Sequence, residues 1–302
     1  MKNYYKFLWL LILTIFLNAC EKDFSYNNTY QSSTAIVNCR FSAGQVLKVS
    51  FTKDMHIDSS MIHAITDADI FLYEDGIYKE RLNYVPHPTL VDFGYYQSTL
   101  IAQQGHAYSI KMDHPIYGHI EATDTIPATF DINSLTYSSL LNPDSTLLQK
   151  VNIIIQDNPI EDNNYTFFII DSFAQKVISG TDTVESRNSS FTYITKLQGA
   201  KYLRYLNNPY ITDETFNGLD KNISLSFYPS NTTNIELYHR YSFYLLVRNV
   251  SNNYVNFEKS LTQYYAYDLG AYEEVPEIYS NVKGARGIFC AFNQSVLFYR
   301  VK

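Results

Sequence analysis

The strongest constraint on this chain is a period of two. Leu47, Val49 and Phe51 alternate with Lys48, Ser50 and Thr52, and Ala35, Val37, Cys39 and Phe41 fall on one side of a similar stretch. Successive side chains of a strand point to opposite faces, so each such stretch buries one face and wets the other. Val151, Ile153 and Ile155 repeat the pattern far downstream. The chain carries 28 Tyr and 19 Phe, residues that suit a pleated, half-buried surface. With 46% hydrophobic and 18% charged residues, it has enough apolar side chains for a packed core. A mostly β protein follows, and 302 residues suit about two domains at ~150 residues each.

Taken in order, the first β unit runs from residue 34 to 127. Strands are expected at Ile36–Phe41 and Leu47–Thr52. A hairpin is expected around Glu74-Asp75-Gly76, where Asp-Gly suits a tight turn. Leu100, the Gly105 turn and Tyr108 resemble the tyrosine corner of immunoglobulin-like and fibronectin-like sandwiches, with Tyr108 bonding back to backbone near Gln104. A strand over Ile116–Ala122 closes this unit, and Pro127, which has no amide to donate to a sheet, marks its end. Residues 34–127 are therefore read as an immunoglobulin-like β-sandwich, and residues 128–302 as a second β-rich, sandwich-like domain. Its expected strands include 151–155, 165–170, 222–228, 237–250 and 288–301. Near the C-terminus the period changes. Tyr254, Phe257, Glu258, Leu261, Tyr264 and Tyr265 recur at three and four, after Ser251 as N-cap and before Gly270 as stop. That predicts one helix.

The N-terminus has its own order. Lys2 and Lys6 precede an apolar run from Phe7 to Leu17, and Leu17-Asn18-Ala19-Cys20 follows. This is the order of a secretory signal peptide, and it resembles a bacterial lipobox. The run gives only ~16 Å of helix at ~1.5 Å per residue, against a hydrocarbon core of ~30 Å. It is too short to span. Residues 1–19 are expected to be removed, Cys20 to carry covalent lipid, and the polar residues 20–33 to form a tether.

Charge and cysteine use agree with export. The net charge is −7, and no basic run supplies the positive footprint that nucleic acid requires. Besides Cys20 the chain has Cys39 and Cys290. Cys39 reads as a small buried hydrophobe, and an oxidising compartment also leaves a Cys39–Cys290 disulfide open.

Templates for chemistry are missing. There is no Gly-x-Ser-x-Gly, no His-Glu-x-x-His, no phosphate loop and no Cys-x-x-Cys. His106, His114 and His119 fit no metal-ligand spacing and read as loop histidines. Asp67 and Asp69 read as charges guarding an edge strand. Glu273, Glu274 and Glu277 read as a solvated loop, and Gly284 to Gly287 as a tight turn before the last strand. No catalytic residue, metal ligand or cofactor other than the Cys20 lipid is expected. The tyrosines Tyr264, Tyr265, Tyr267, Tyr272 and Tyr279, beside an acidic loop, are the expected contact surface for a partner.

Several segments together resemble the domain of unknown function 4249 family, lipoproteins of non-enteric Gram-negative bacteria. They are Asp67-Ala68-Asp69-Ile70, Gly105-His106-Ala107-Tyr108 with Thr125-Ile126-Pro127, and Gln156-Asp157-Asn158-Pro159 with Asn164-Tyr165. Ile211-Thr212-Asp213-Glu214-Thr215-Phe216-Asn217-Gly218 and the stretch Pro276 to Phe289 complete the set. Where the family has Glu-Pro-Val, this chain has Val275-Pro276-Glu277, so no role of that glutamate carries onto Glu277. The resemblance implies an outer-membrane lipoprotein, encoded beside a TonB-dependent receptor, with no established activity. The expected function is non-enzymatic binding as an accessory partner of such a receptor. A glycosidase-like surface hydrolase with an unrecognised carboxylate pair, or a structural or adhesive surface protein, are the alternatives.

Overall fold

The structure, a computed structural model, describes residues 34–54, 63–90, 93–143, 146–179, 182–199, 201–202, 209–230, 240–267 and 275–301. The signal segment, Cys20 and the tether lie outside the described residues, as do Gly270, Tyr272, Glu273 and Glu274.

Strands make up 62% of the structure, so the mostly β expectation holds. In the first half they are β1 (Ala35–Ser42), β2 (Val46–Lys53), β3 (Phe71–Glu74), β4 (Ile77–Arg81), β5 (Asn83–Pro86), β6 (Gly94–Ile101), β7 (Ala107–His114) and β8 (Gly118–Thr125). In the second half they are β9 (Asp131–Leu141), β10 (Leu147–Gln156), β11 (Asn164–Ser179), β12 (Asp182–Thr192), β13 (Ile194–Leu197), β14 (Lys201–Tyr202), β15 (Pro209–Thr212), β16 (Asp220–Phe227), β17 (Arg240–Val250) and β18 (Arg286–Arg300). One helix among the described residues, α1 (Asn252–Ala266), precedes β18.

The described strands form three sheets. A ten-stranded sheet runs in the order β14-β15-β11-β17-β18-β1-β2-β6-β5, with β12 paired to β11. Two four-stranded sheets, β4-β3-β7-β8 and β13-β16-β10-β9, pack against the two halves of its inner face. The result is two sandwich-like layers that share one long sheet. Alternation along the strands is what permits this. Val37, Cys39, Phe41, Val49 and Phe51 meet Ile70, Leu72, Tyr108, Ile110 and Ile120 in the first core. Phe167, Ile169, Phe243 and Leu245 meet Val151, Ile153, Leu225 and Phe227 in the second.

Ile126 belongs to the first core and Phe130 to the second, with Pro127 between them. Strand β18 nevertheless enters both. Phe289 and Ala291 complete the first core, and Leu297 and Tyr299 pack on the second. The pairing responsible is parallel, Cys39 opposite Phe289 and Arg40 opposite Cys290. Gly287 is required where the two strands meet. Its φ is +115°, and a Cβ there would lie 1.9 Å from the Val37 carbonyl oxygen. At Gly284 (φ +77°) a Cβ would lie 2.0 Å from the His119 oxygen. The Gly284–Gly287 turn is thus where the chain squeezes against β1 and β8 to start its last strand.

The parallel register also disposes of the disulfide. Cys39 faces the first core, whereas Cys290 faces the opposite side of the sheet, under the helix. Both are buried free thiols. Two cysteines on opposite faces cannot bring their sulfurs within bonding distance.

Helix α1 covers part of the outer face of the large sheet. Tyr254 and Val255 pack on Val250, Ile288, Cys290 and Phe292. Ser251 is the N-cap: its side chain accepts from the Tyr254 amide at 3.2 Å. Its hydroxyl donates to Asp124 Oδ2 at 2.5 Å, which joins the helix start to β8. The buried face is centred on Tyr254, Val255 and Glu258, while Leu261 is half-buried at its margin.

Candidate functional site

Three stretches singled out in the sequence, 156–159, 164–165 and 211–218, are brought together in space, and what they build is joinery. Asp157 Oδ1 accepts from the Tyr165 hydroxyl at 2.5 Å, and its Oδ2 accepts from the Gly218 amide at 2.8 Å. Asp213 Oδ2 accepts from the Asn163 amide at 2.7 Å. Asn249 of β17 donates to Asn163 Oδ1 at 2.5 Å and to the Ala128 carbonyl at 3.2 Å. Four chain segments far apart in sequence, at 128, 157–165, 213–218 and 249, therefore close over one buried polar network at the end of the second sandwich. Burial raises the Asp213 carboxyl above its ordinary range, and burial followed by the neighbouring Asp157 pushes the Tyr165 phenol well up. Asp157, Asn163, Tyr165, Asp213 and Asn249 are each matched to a partner, as a low-dielectric interior requires.

A second joint sits at the helix. Asp124 at the end of β8 accepts from Ser251 Oγ, from the Ala291 amide at 2.7 Å and from Asn253 Nδ2 at 2.9 Å. Burial raises its carboxyl, against the pull of these donors. The corner at Tyr108 has the expected form. Its hydroxyl accepts from the Gln103 amide at 2.8 Å, one residue from the expected position, and donates to Glu74 Oε1 at 2.5 Å.

The residues considered for chemistry are held apart. His106 Nδ1 lies 2.6 Å from Asp75, His114 Nε2 lies 3.2 Å from Asp67, and His119 Nδ1 lies 2.8 Å from Asp113. Asp69 pairs with Arg81 rather than sharing a site with Asp67. Among the described residues no group of three or more His, Cys, Asp or Glu is placed to hold a metal ion. Glu277 is exposed.

The expected tyrosine surface divides. Tyr264 and Tyr265 are exposed on the last turn of α1 as an edge-to-face pair, ring centroids 5.7 Å apart. The Tyr267 amide donates to the Tyr264 carbonyl at 3.3 Å and ends the helix. Tyr279 is bound to the scaffold instead: its hydroxyl donates to Asn253 Oδ1 at 2.6 Å, and its amide donates to Ser260 Oγ at 2.8 Å.

Sequence reasoning missed a larger aromatic surface on the same outer face of the large sheet. Phe191, Ile170, Tyr244 and Phe298 stand directly opposite one another across β12, β11, β17 and β18. Phe191 is 69% exposed, Phe298 50% and Tyr244 39%. Phe168, Leu246 and Val296 form the next row. Arg248 then lies between this surface and the ground covered by α1, its guanidinium 4.6 Å from the Phe168 ring centroid and 4.5 Å from that of Phe292. The signal was present in β17, where Tyr244 and Leu246 give the second face apolar side chains as well, but only the pairing sets Tyr244 in line with the exposed Phe191 and Phe298.

No family model matches the chain, and no curated protein matches it.

Proposed function

We propose that this protein is an outer-membrane lipoprotein that acts by binding, as an accessory partner of a TonB-dependent transport receptor, as its resemblance to the domain of unknown function 4249 family implies. The observation that carries this reading is the outer face of the ten-stranded sheet. It presents Tyr264 and Tyr265 on the helix and the Phe191–Ile170–Tyr244–Phe298 row on the strands beside it. Contiguous exposed aromatic surface of this kind marks an interaction site, and aromatic residues dominate interface energetics.

The anchor specifies where the partner must be. With lipid on Cys20, the tether to Ala35 spans at most ~50 Å at ~3.4 Å per residue. The tether thus keeps the start of the folded part near the membrane, where a β-barrel receptor presents its loops. Confinement also raises the effective concentration of the two partners, so a modest interface is enough.

Cross-linking in intact cells tests the reading. A large β-barrel protein is expected to be recovered with the lipoprotein, and recovery should fall several-fold in a Tyr264→Ala/Tyr265→Ala/Phe298→Ser variant. Recovery of the lipoprotein alone, or undiminished recovery with the variant, overturns it.

A further inference from the structure

A cavity of about 400 Å³ lies on the solvent face of the β13-β16-β10-β9 sheet, the face turned away from the second core. Lys150, Ser226 and Lys196 stand directly opposite one another on β10, β16 and β13. Neighbouring strands are ~4.8 Å apart, so the two lysine backbones flank Ser226 at a separation of about 10 Å. Lys196 faces outward because of a fault in β13. Ile194 and Leu197 both point into the core, and strict alternation from Ile194 would turn Lys196 inward as well. A β-bulge between Ile194 and Lys196 sets Thr195 and Lys196 together against Ser226 and returns Lys196 to the cavity. Bulges re-aim side chains in this way beside binding sites. Thr195 Oγ1 donates to the Ser226 carbonyl at 3.0 Å and holds the bulge closed.

Neither lysine pairs with a carboxylate among the described residues. Two lysines in register on one face, with no carboxylate partner among the described residues, in a chain of net charge −7, form a local anion site against the general field. The rest of the lining has two characters. Ser224, Ser226 and Gln198 offer short hydroxyl and amide groups, whereas Leu148 and the Tyr228 ring are apolar. Tyr228 is held by Asn142 Nδ2, which donates to its hydroxyl at 3.1 Å. A bare inorganic anion would leave the apolar wall and most of the volume unused.

We propose that this cavity binds an acidic saccharide. A carboxylate-bearing sugar unit places its anion between Lys150 and Lys196, its ring against Tyr228 and Leu148, and its hydroxyls at Ser224, Ser226 and Gln198. The volume lies within the range of small-ligand pockets. This site is on a different sheet from the aromatic face and does not rest on the receptor reading.

Calorimetric titration of the detergent-solubilised full chain tests it, with digalacturonate as probe. Digalacturonate should bind, and the neutral disaccharide galactobiose should bind at least about tenfold more weakly. Lys150→Gln and Lys196→Gln should each weaken digalacturonate binding about tenfold while leaving the melting temperature unchanged or higher, because each removes one of two like charges. Absence of digalacturonate binding, undiminished binding by folded lysine variants, or equal affinity for inorganic phosphate or tetra-aspartate overturns the proposal.

Discussion

At the scale of single residues, Glu258 shows most clearly how this protein places charge. It lies on the buried face of α1, 4% exposed, with Oε1 2.9 Å from Arg40 Nη2. Burial raises its carboxyl, and Arg40 pulls it back only in part. A carboxyl raised in the folded state binds its proton more tightly there than in the unfolded chain. Its contribution to stability is therefore greatest below the unfolded value near 4.5 and declines as pH rises through the folded value. Glu258→Gln removes that dependence. The destabilisation caused by Gln should be larger at pH 4.5 than at pH 7 in urea titrations, and a loss that grows toward neutral pH would contradict the assignment. Lysines 150 and 196 teach a related lesson: a charge gains meaning from what stands opposite it, which a linear sequence does not display.

At the scale of elements, α1 is held by its first turn more than by its length. Ser251 does two jobs there, accepting from the Tyr254 amide and donating to Asp124. Ser251→Ala loses the cap and leaves a buried carboxylate with one donor fewer, so it should cost ~1–3 kcal/mol in chemical denaturation. Leu261→Ala, at the half-buried margin of the same helix, should cost less than Tyr254→Ala, which removes a buried ring worth ~3–5 kcal/mol. The reverse order would mean that the helix is rotated about its axis. The three-and-four spacing that announces this helix includes Leu261 and Tyr265 on its apolar side, yet the face that is covered is centred between Tyr254 and Glu258. Periodicity states that a face exists, while the position of Val250, Ile288 and Phe292 beneath it decides which residues fill it.

At the scale of the molecule, contacts gather Thr34–Lys302 into one compact unit, because β18 belongs to both sandwiches. Phe41 and Phe289 are in ring contact at 4.8 Å, and Val282 and Ala291 fill the same core. A fragment of residues 34–127 lacks these groups and exposes β1 as an unpaired edge. It is expected to show no cooperative thermal unfolding by circular dichroism. A sharp two-state transition of the isolated fragment would show that the first core closes without β18. The same strand places the aromatic row and the helix on one outer face, so the proposed docking surface exists only once both sandwiches have formed.

Alternation along Leu47–Phe51 and Val151–Ile155 was enough to determine strands, their buried faces and the mostly β class, because a period of two is a local property of the backbone. Spacing and a good N-cap were likewise enough for the helix, and Asp75-Gly76, both at positive φ, for the tight hairpin between β3 and β4. The corner at Tyr108 was legible because its backbone partner, Gln103, lies within a few residues, whereas its second partner, Glu74 on β3, was not. What only the tertiary structure decided is non-local. The parallel pairing of β1 with β18 joins positions about 250 residues apart, and nothing in either strand encodes its partner. The opposite facing of Cys39 and Cys290, the exposed row from Phe191 to Phe298, and the alignment of Lys150 with Lys196 all follow from register between strands. Register is fixed by the packing of the whole sheet against its cores, and a one-residue slip would turn every one of these side chains to the other face.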